Sequence, residues 1–150
     1  MIRLPRAAGI ADPPPGRVVA MASRLELRRL RDVPAFLLAS LRLRRRFRAA
    51  AGGVGLALAA EPMRRTFWTC SEWTGQDALR AFTGAPAHVQ VMRRFRPAMA
   101  ASAFVTRSAP AGVPPGWGEA RARIAEEVAT GGGGGSSSGR ARAAAGGPTV

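Results

Sequence analysis

The chain has no lysine, no asparagine and no tyrosine, and its 150 residues include one cysteine and one histidine. A lone cysteine, Cys70, excludes an intramolecular disulfide and cannot build a Cys-based metal site; it fits a reducing cytosol. Its expected place is that of a small apolar side chain buried in a strand. With one histidine, any imidazole chemistry falls to His88. Long apolar runs are also missing. The longest, Ala49 to Ala60, has 12 residues and includes three glycines, against the ~20 that cross a bilayer, so no membrane span is expected. The first 16 residues contain no uninterrupted apolar core, because Pro5, Arg6, Asp12 and Pro13-Pro14-Pro15 break it, and no signal peptide is expected there.

Charge of one sign is scarce. Nine acidic residues face 23 basic ones, for a net charge of +14 and a pI near 12.0. Such a balance ordinarily points to a polyanionic partner. Here every basic residue is arginine, and alanine, glycine and proline are abundant as well, which is the mark of GC-rich coding. The sheet-borne aromatic signature of an RNA-binding domain is absent, so no specific nucleic-acid partner is expected. The glycine run at 131–135 follows no strand and opens no helix, so it is not a phosphate loop.

What is present is organised around Arg65 to Trp73, the densest β-signal in the chain. Alternation puts Thr66, Trp68, Cys70 and Glu72 on one face and Phe67, Thr69, Ser71 and Trp73 on the other. Large aromatics on both faces require cover on both faces. Upstream, Val18 to Leu27 alternates as a strand. Asp32 and Pro34 then open an amphipathic helix from Val33 to about Ala51, striped by Phe36, Ser40, Leu43, Phe47 and Ala50. Its other side carries Arg42, Arg45, Arg46 and Arg48, read as a solvated face. Gly52-Gly53 ends it, Val54 to Ala59 forms a second strand, and Glu61 to Arg64 turns back into the central strand as an antiparallel hairpin. Thr74 and Asp77 resemble a capping box before a short helix from Gln76 to Thr83. Pro86 opens another helix, on which His88, Met92, Phe95 and Met99 share an apolar stripe, with Pro97 ending it. Ser102 to Thr106 reads as the fourth strand and Trp117 to Val128 as an extra C-terminal helix.

The expected fold class is α+β, a ferredoxin-like βαββαβ unit with a four-stranded antiparallel sheet. Residues 1–16 read as a disordered lead-in, 17–129 as the folded domain and 130–150 as a disordered Gly/Ser/Arg tail. Helices on one face leave the other face of such a sheet open. Pairing of two sheets about a two-fold axis would close it, so a homodimer is expected.

The central strand ending in Trp73, then Asp77-Ala78-Leu79 and Phe82, then Ala85-Pro86-Ala87-His88 at a helix start, resembles the dimeric α+β-barrel proteins over about Arg17 to Val128. That group includes antibiotic-biosynthesis-type monooxygenases, haem-degrading monooxygenases and spheroidene-monooxygenase-like proteins. The set Trp68, Trp73, His88 and Trp117 is most similar to a bacterial branch to which no reaction can be carried over. The resemblance implies a pocket between sheet and helices for a hydrophobic, aromatic or polycyclic small molecule, and oxygen chemistry without metal or flavin. A second reading is a catalytically silent ligand-binding or interaction barrel; the haem-binding members imply a third, with a helix histidine on iron. On this reading His88 is the catalytic residue, a general acid or base. Trp68, Trp73, Phe67, Met92 and Phe104 form the substrate wall. No metal site and no cofactor are expected, and the cytoplasm is the expected location.

Overall fold

A computed structural model describes residues 1–113 and 116–130; Pro114-Pro115 and the expected tail from 131 onward lie outside the described residues. Four long strands form the sheet: β3 (Arg17–Leu27), β4 (Gly53–Glu61), β5 (Thr66–Trp73) and β6 (Met99–Pro110). Before them, two two-residue strands, β1 (Ile2–Arg3) and β2 (Ala7–Ala8), pair with β4. Across the long strands the order is β4-β5-β3-β6, antiparallel throughout, which is the ferredoxin-like arrangement. The β4–β5 hairpin turns at Pro62–Arg64, and Arg65, at φ 56°, closes it in a left-handed conformation.

Three helices cover one face: α1 (Val33–Phe47), α2 (Gln76–Thr83) and α3 (Pro86–Phe95). The side chains that alternation directs to them form the core. Phe67 of β5 meets Phe36 of α1 at a ring-centroid distance of 4.6 Å, and Phe36 meets Phe95 of α3 edge-on at 5.1 Å. Leu25, Leu27, Val33 and Ala39 complete this cluster. Two boundaries differ from the sequence reading. The first helix stops at Phe47, short of Ala51, and the last strand extends to Met99–Pro110, which takes Met99 out of the helical stripe. The expected Thr74 cap is not made either: α2 starts from Gly75 with no side-chain cap.

The opposite face is not open. The C-terminal helix α4 (Trp117–Ala129) lies across it and inserts Ile124 against Trp68, Ala59 and Ala103. Arg107 reaches Glu119 at 2.8 Å and Arg121 reaches Glu61 at 3.6 Å, tying the helix to β6 and to the end of β4. The sheet is single and does not close on itself. The amphipathic pattern of α4 requires an apolar surface, and the bare sheet face is the one within reach of β6.

The lead-in is also ordered, against expectation. β4 would otherwise be an edge strand with unpaired backbone groups, and the N-terminal segment satisfies them. Leu4 N–H donates to the Leu58 carbonyl at 3.0 Å and Gly9 N–H to the Val54 carbonyl at 3.0 Å, while Ala7 is fully buried. Arg6 then crosses the far face to pair with Glu72, a buried carboxylate on β5. Gly55, opposite Glu72 in the β4–β5 register, makes that crossing possible, because a β-carbon there would collide with the Arg6 guanidinium.

Removing one partner of a partly buried pair leaves the other desolvated. Arg6→Ala is therefore expected to lower unfolding free energy by about 2 kcal/mol, discounted for the partial exposure of Arg6, and adding Glu72→Gln to recover part of it. Urea titration of the two variants checks this; an Arg6→Ala variant as stable as the wild type would show that the strap is not anchored through Glu72.

Candidate functional site

Between the sheet and the three helices the core is incomplete, and a half-open cavity of about 270 Å³ remains. Its floor is the helix-side face of β3, β4 and β5. Its roof comes from Phe36, Ser40 and Arg44 of α1, Leu79 and Phe82 of α2, and His88 and Met92 of α3. Ile2 and Leu4 of the N-terminal strap close one side. A larger open groove of about 1050 Å³ adjoins it along α3 and the β6 edge. The two spaces share Met21, Thr83, His88, Met92 and Phe104, so those side chains stand at the junction.

An aromatic series leads through the wall. Phe47 and Trp73 meet edge-on at 5.3 Å, Trp73 and Phe82 pack tilted at 5.2 Å, and Phe82 and His88 meet edge-on at 5.8 Å. The Trp73 indole N–H donates to Ser71 Oγ at 2.9 Å, which fixes the ring against the sheet. Ser23 and Thr69 hydroxyls bond each other across β3 and β5. Ser40 Oγ donates back to the Phe36 carbonyl at 2.9 Å. These polar groups are spent within the protein, and the cavity surface they leave is mostly apolar.

His88 is half-buried, and burial pushes its pKa below the ordinary 6.5, with the Thr83 backbone carbonyl pulling weakly the other way. The imidazole is thus neutral at pH 7 and able to accept a proton. Cys70 points to the opposite face; its thiol is pushed up to about 11 by burial first and by Glu72 second, against Arg107, and stays protonated. Among the described residues no group of three or more His, Cys, Asp or Glu side chains converges on a metal position. For haem, His88 would be the axial ligand, with Phe82 already against one side of the imidazole and no second His or Cys near it among the described residues.

Of the residues expected at the site, His88, Trp73, Phe67, Met92 and Phe104 come together around this space. Phe104 is 48% exposed and stands at the groove. Trp68 borders the space as well, through its place on β5, but its indole turns away from it. Alternation along β5 sends its indole to the far face, into the Ile124 cluster, with Arg24 and Arg121 guanidinium groups 5.5 and 5.1 Å from the ring centre. Its role there is to seat α4. The Ser23–Thr69 pair, Arg44, Ile2 and Leu4 were not anticipated. Arg44 had a signal in the sequence: it follows Ser40 by four residues and Leu37 by seven, on the flank of the apolar stripe and not among the arginines of the outer face.

No protein-family model matches the chain, and no curated relative does. Solved structures do. The cofactor-independent oxygenase SnoaB from Streptomyces nogalater superposes with a TM-score of 0.52 at 19% identity, over 61% of this chain and 92% of that one. An antibiotic biosynthesis monooxygenase superposes at 0.56 with 13% identity, over 64% of this chain and 99% of that one. A candidate monooxygenase from Fusobacterium nucleatum gives 0.57 at 8% identity, over 73% of this chain, which spans only 48% of that longer protein. Identities this low speak for the fold alone. The chain has the α+β fold of the antibiotic-biosynthesis-monooxygenase-like proteins.

Proposed function

We propose that this protein is a small monooxygenase-like enzyme that works without metal or flavin on an aromatic molecule of one or two rings, held between the sheet and the helices. The observation that carries the reading is a neutral, half-buried His88 at the junction between an apolar cavity and a wider groove, edge-on to Phe82 of the aromatic series Phe82, Trp73 and Phe47. The fold likeness to a cofactor-independent oxygenase supports it. In this mechanism His88 accepts the proton of a ring hydroxyl. The aromatic anion, stacked near Trp73 and Phe82 and shielded from water, then gives an electron to dissolved oxygen. Trp73, fixed by Ser71, and Phe67 orient the ring.

A non-catalytic ligand-binding barrel is the second reading, and one observation favours it: no Asp or Glu is among the described residues lining the cavity, so no carboxylate there orients or relays a proton for His88. The homodimer expected from an open sheet face and the cytoplasmic setting expected from the lone cysteine remain part of the proposal. One constraint applies to the dimer. Because α4 occupies the far face, pairing through that face would require α4 to move, so light scattering on the full chain and on a chain ending at residue 113 reads it directly.

Oxygen uptake measured over buffer with a panel of hydroxynaphthalenes tests the enzymatic reading. His88→Gln is expected to lower turnover by about 10²–10⁴-fold. Trp73→Phe is expected to loosen binding by about three- to tenfold, and Trp68→Phe to leave it unchanged. Binding without uptake selects the second reading; neither binding nor uptake overturns both.

The pH dependence has a definite sign. Since the folded-state pKa of His88 lies below its unfolded value, the acid limb of kcat/KM is expected below pH 6.5 and is expected to vanish in His88→Gln. Stability should follow the same direction: the contribution of the neutral imidazole is full above about pH 6.5 and is lost as pH falls through the depressed folded value. Melting curves of wild type and His88→Gln between pH 7.5 and 4.5 should therefore converge or cross on the acid side. A constant offset across that range would place His88 in solvent.

A further inference from the structure

Arg44 is the one permanently charged side chain among the described residues that line the cavity. It sits on α1, part-buried, where an amphipathic helix meets apolar surface. Its Nη2 donates to the Pro5 carbonyl at 2.8 Å, while its Nε is enclosed with no acceptor at all. No carboxylate pairs with it among the described residues, whereas Arg6, Arg24, Arg107 and Arg121 each have one; Arg65, whose Nε is likewise enclosed without an acceptor, does not line the cavity. A guanidinium does not shed its proton to escape such a setting. A partly desolvated cation with no counter-charge, on the wall of an apolar cavity, is compensated when an anion binds beside it, and a carboxylate matches the guanidinium fork in shape as well as charge.

Resting on the reading of this cavity as the ligand site, we infer that the ligand is an aromatic acid. Its anionic group, a carboxylate or a chemically similar oxyanion, lies at Arg44 on the α1 side, and its ring extends toward His88 on α3. The size agrees. About 270 Å³ holds a one- or two-ring skeleton with a single anionic substituent. The arrangement also separates two tasks. Arg44 on α1 supplies fixed charge for binding, and neutral His88 on α3 supplies the proton acceptor.

The test uses a matched pair of probes, 2-naphthoate and 2-naphthamide, which share a ring system and differ in charge. Binding to the full chain is followed by quenching of tryptophan fluorescence at physiological ionic strength. Wild type is expected to bind naphthoate at least tenfold more tightly than naphthamide. Arg44→Met should erase that preference by weakening naphthoate alone, and Arg44→Lys, which keeps the charge and loses the fork, should retain part of it. Arg45→Met, one residue away on the exposed side of α1, should change neither probe. Equal affinity for the two probes in wild type overturns the inference while leaving the cavity as an aromatic site. So does a preference that survives Arg44→Met, or one that falls equally in Arg45→Met, which would assign it to the net charge of the surface. If neither probe binds wild type, the cavity reading falls and this inference with it. The wild-type comparison decides even where a variant fails to fold.

Discussion

The structure depends on one constraint: β5 must be buried on both faces at once. Seven of its eight residues are buried, with Thr69 alone half-exposed, and the strand carries an indole on each side. The helix side is met by Phe36, Phe47, Phe82 and Leu79 around Phe67 and Trp73. The far side cannot be met by α1 to α3, which are already committed, so α4 and the N-terminal strap supply it. What results is a three-layer arrangement in which a nominally open-faced fold is closed by its own two ends. Glu72 shows how strictly the far side is closed. A buried carboxylate there is tolerated only because Arg6 reaches across Gly55 to pair with it.

The same alternation decides which aromatics belong to the site. Trp68 and Trp73 lie five residues apart, an odd spacing, so one strand cannot point both indoles into one space. The parity was visible in the sequence; what the sequence could not assign was which face the cavity would occupy. Helix and strand identities, the βαββαβ order and the placement of His88 on an apolar stripe were legible because each rests on local periodicity. The strap was not, since Ile2–Arg3 and Ala7–Ala8 have no period of their own. They are ordered by the unpaired edge of β4, a property of a partner 50 residues away. The pattern of α4 likewise showed that one side must be buried but not against what. A free sheet face and a second copy of the chain are equivalent to it until the connection from β6 is traced.

Most polar groups in the cavity are already satisfied internally. Trp73 is bonded to Ser71, Ser23 to Thr69 and Ser40 to the α1 backbone. Satisfied groups hold the shape of a site and contribute little to discrimination. That leaves Arg44 and His88, one charged and one neutral at pH 7, on two different helices of the roof. A ligand that bonds to both must carry two polar groups on an otherwise apolar frame.

The strap determines from which side such a ligand enters. Three consecutive residues tie it to three different elements: Leu4 to β4 through Leu58, Pro5 to α1 through Arg44, and Arg6 to β5 through Glu72. Lifting it would break all three together and would leave the buried Glu72 carboxylate unpaired, so this side is costly to open. The junction at His88 has no comparable closure. Met92 and Phe104 are partly or well exposed there, and the wide groove along α3 leads to it. On the proposed reading, a ligand entering by this route would meet the imidazole before Arg44, with its anionic group leading. Its ring would then rest beside His88, where the cavity meets the solvent that supplies oxygen.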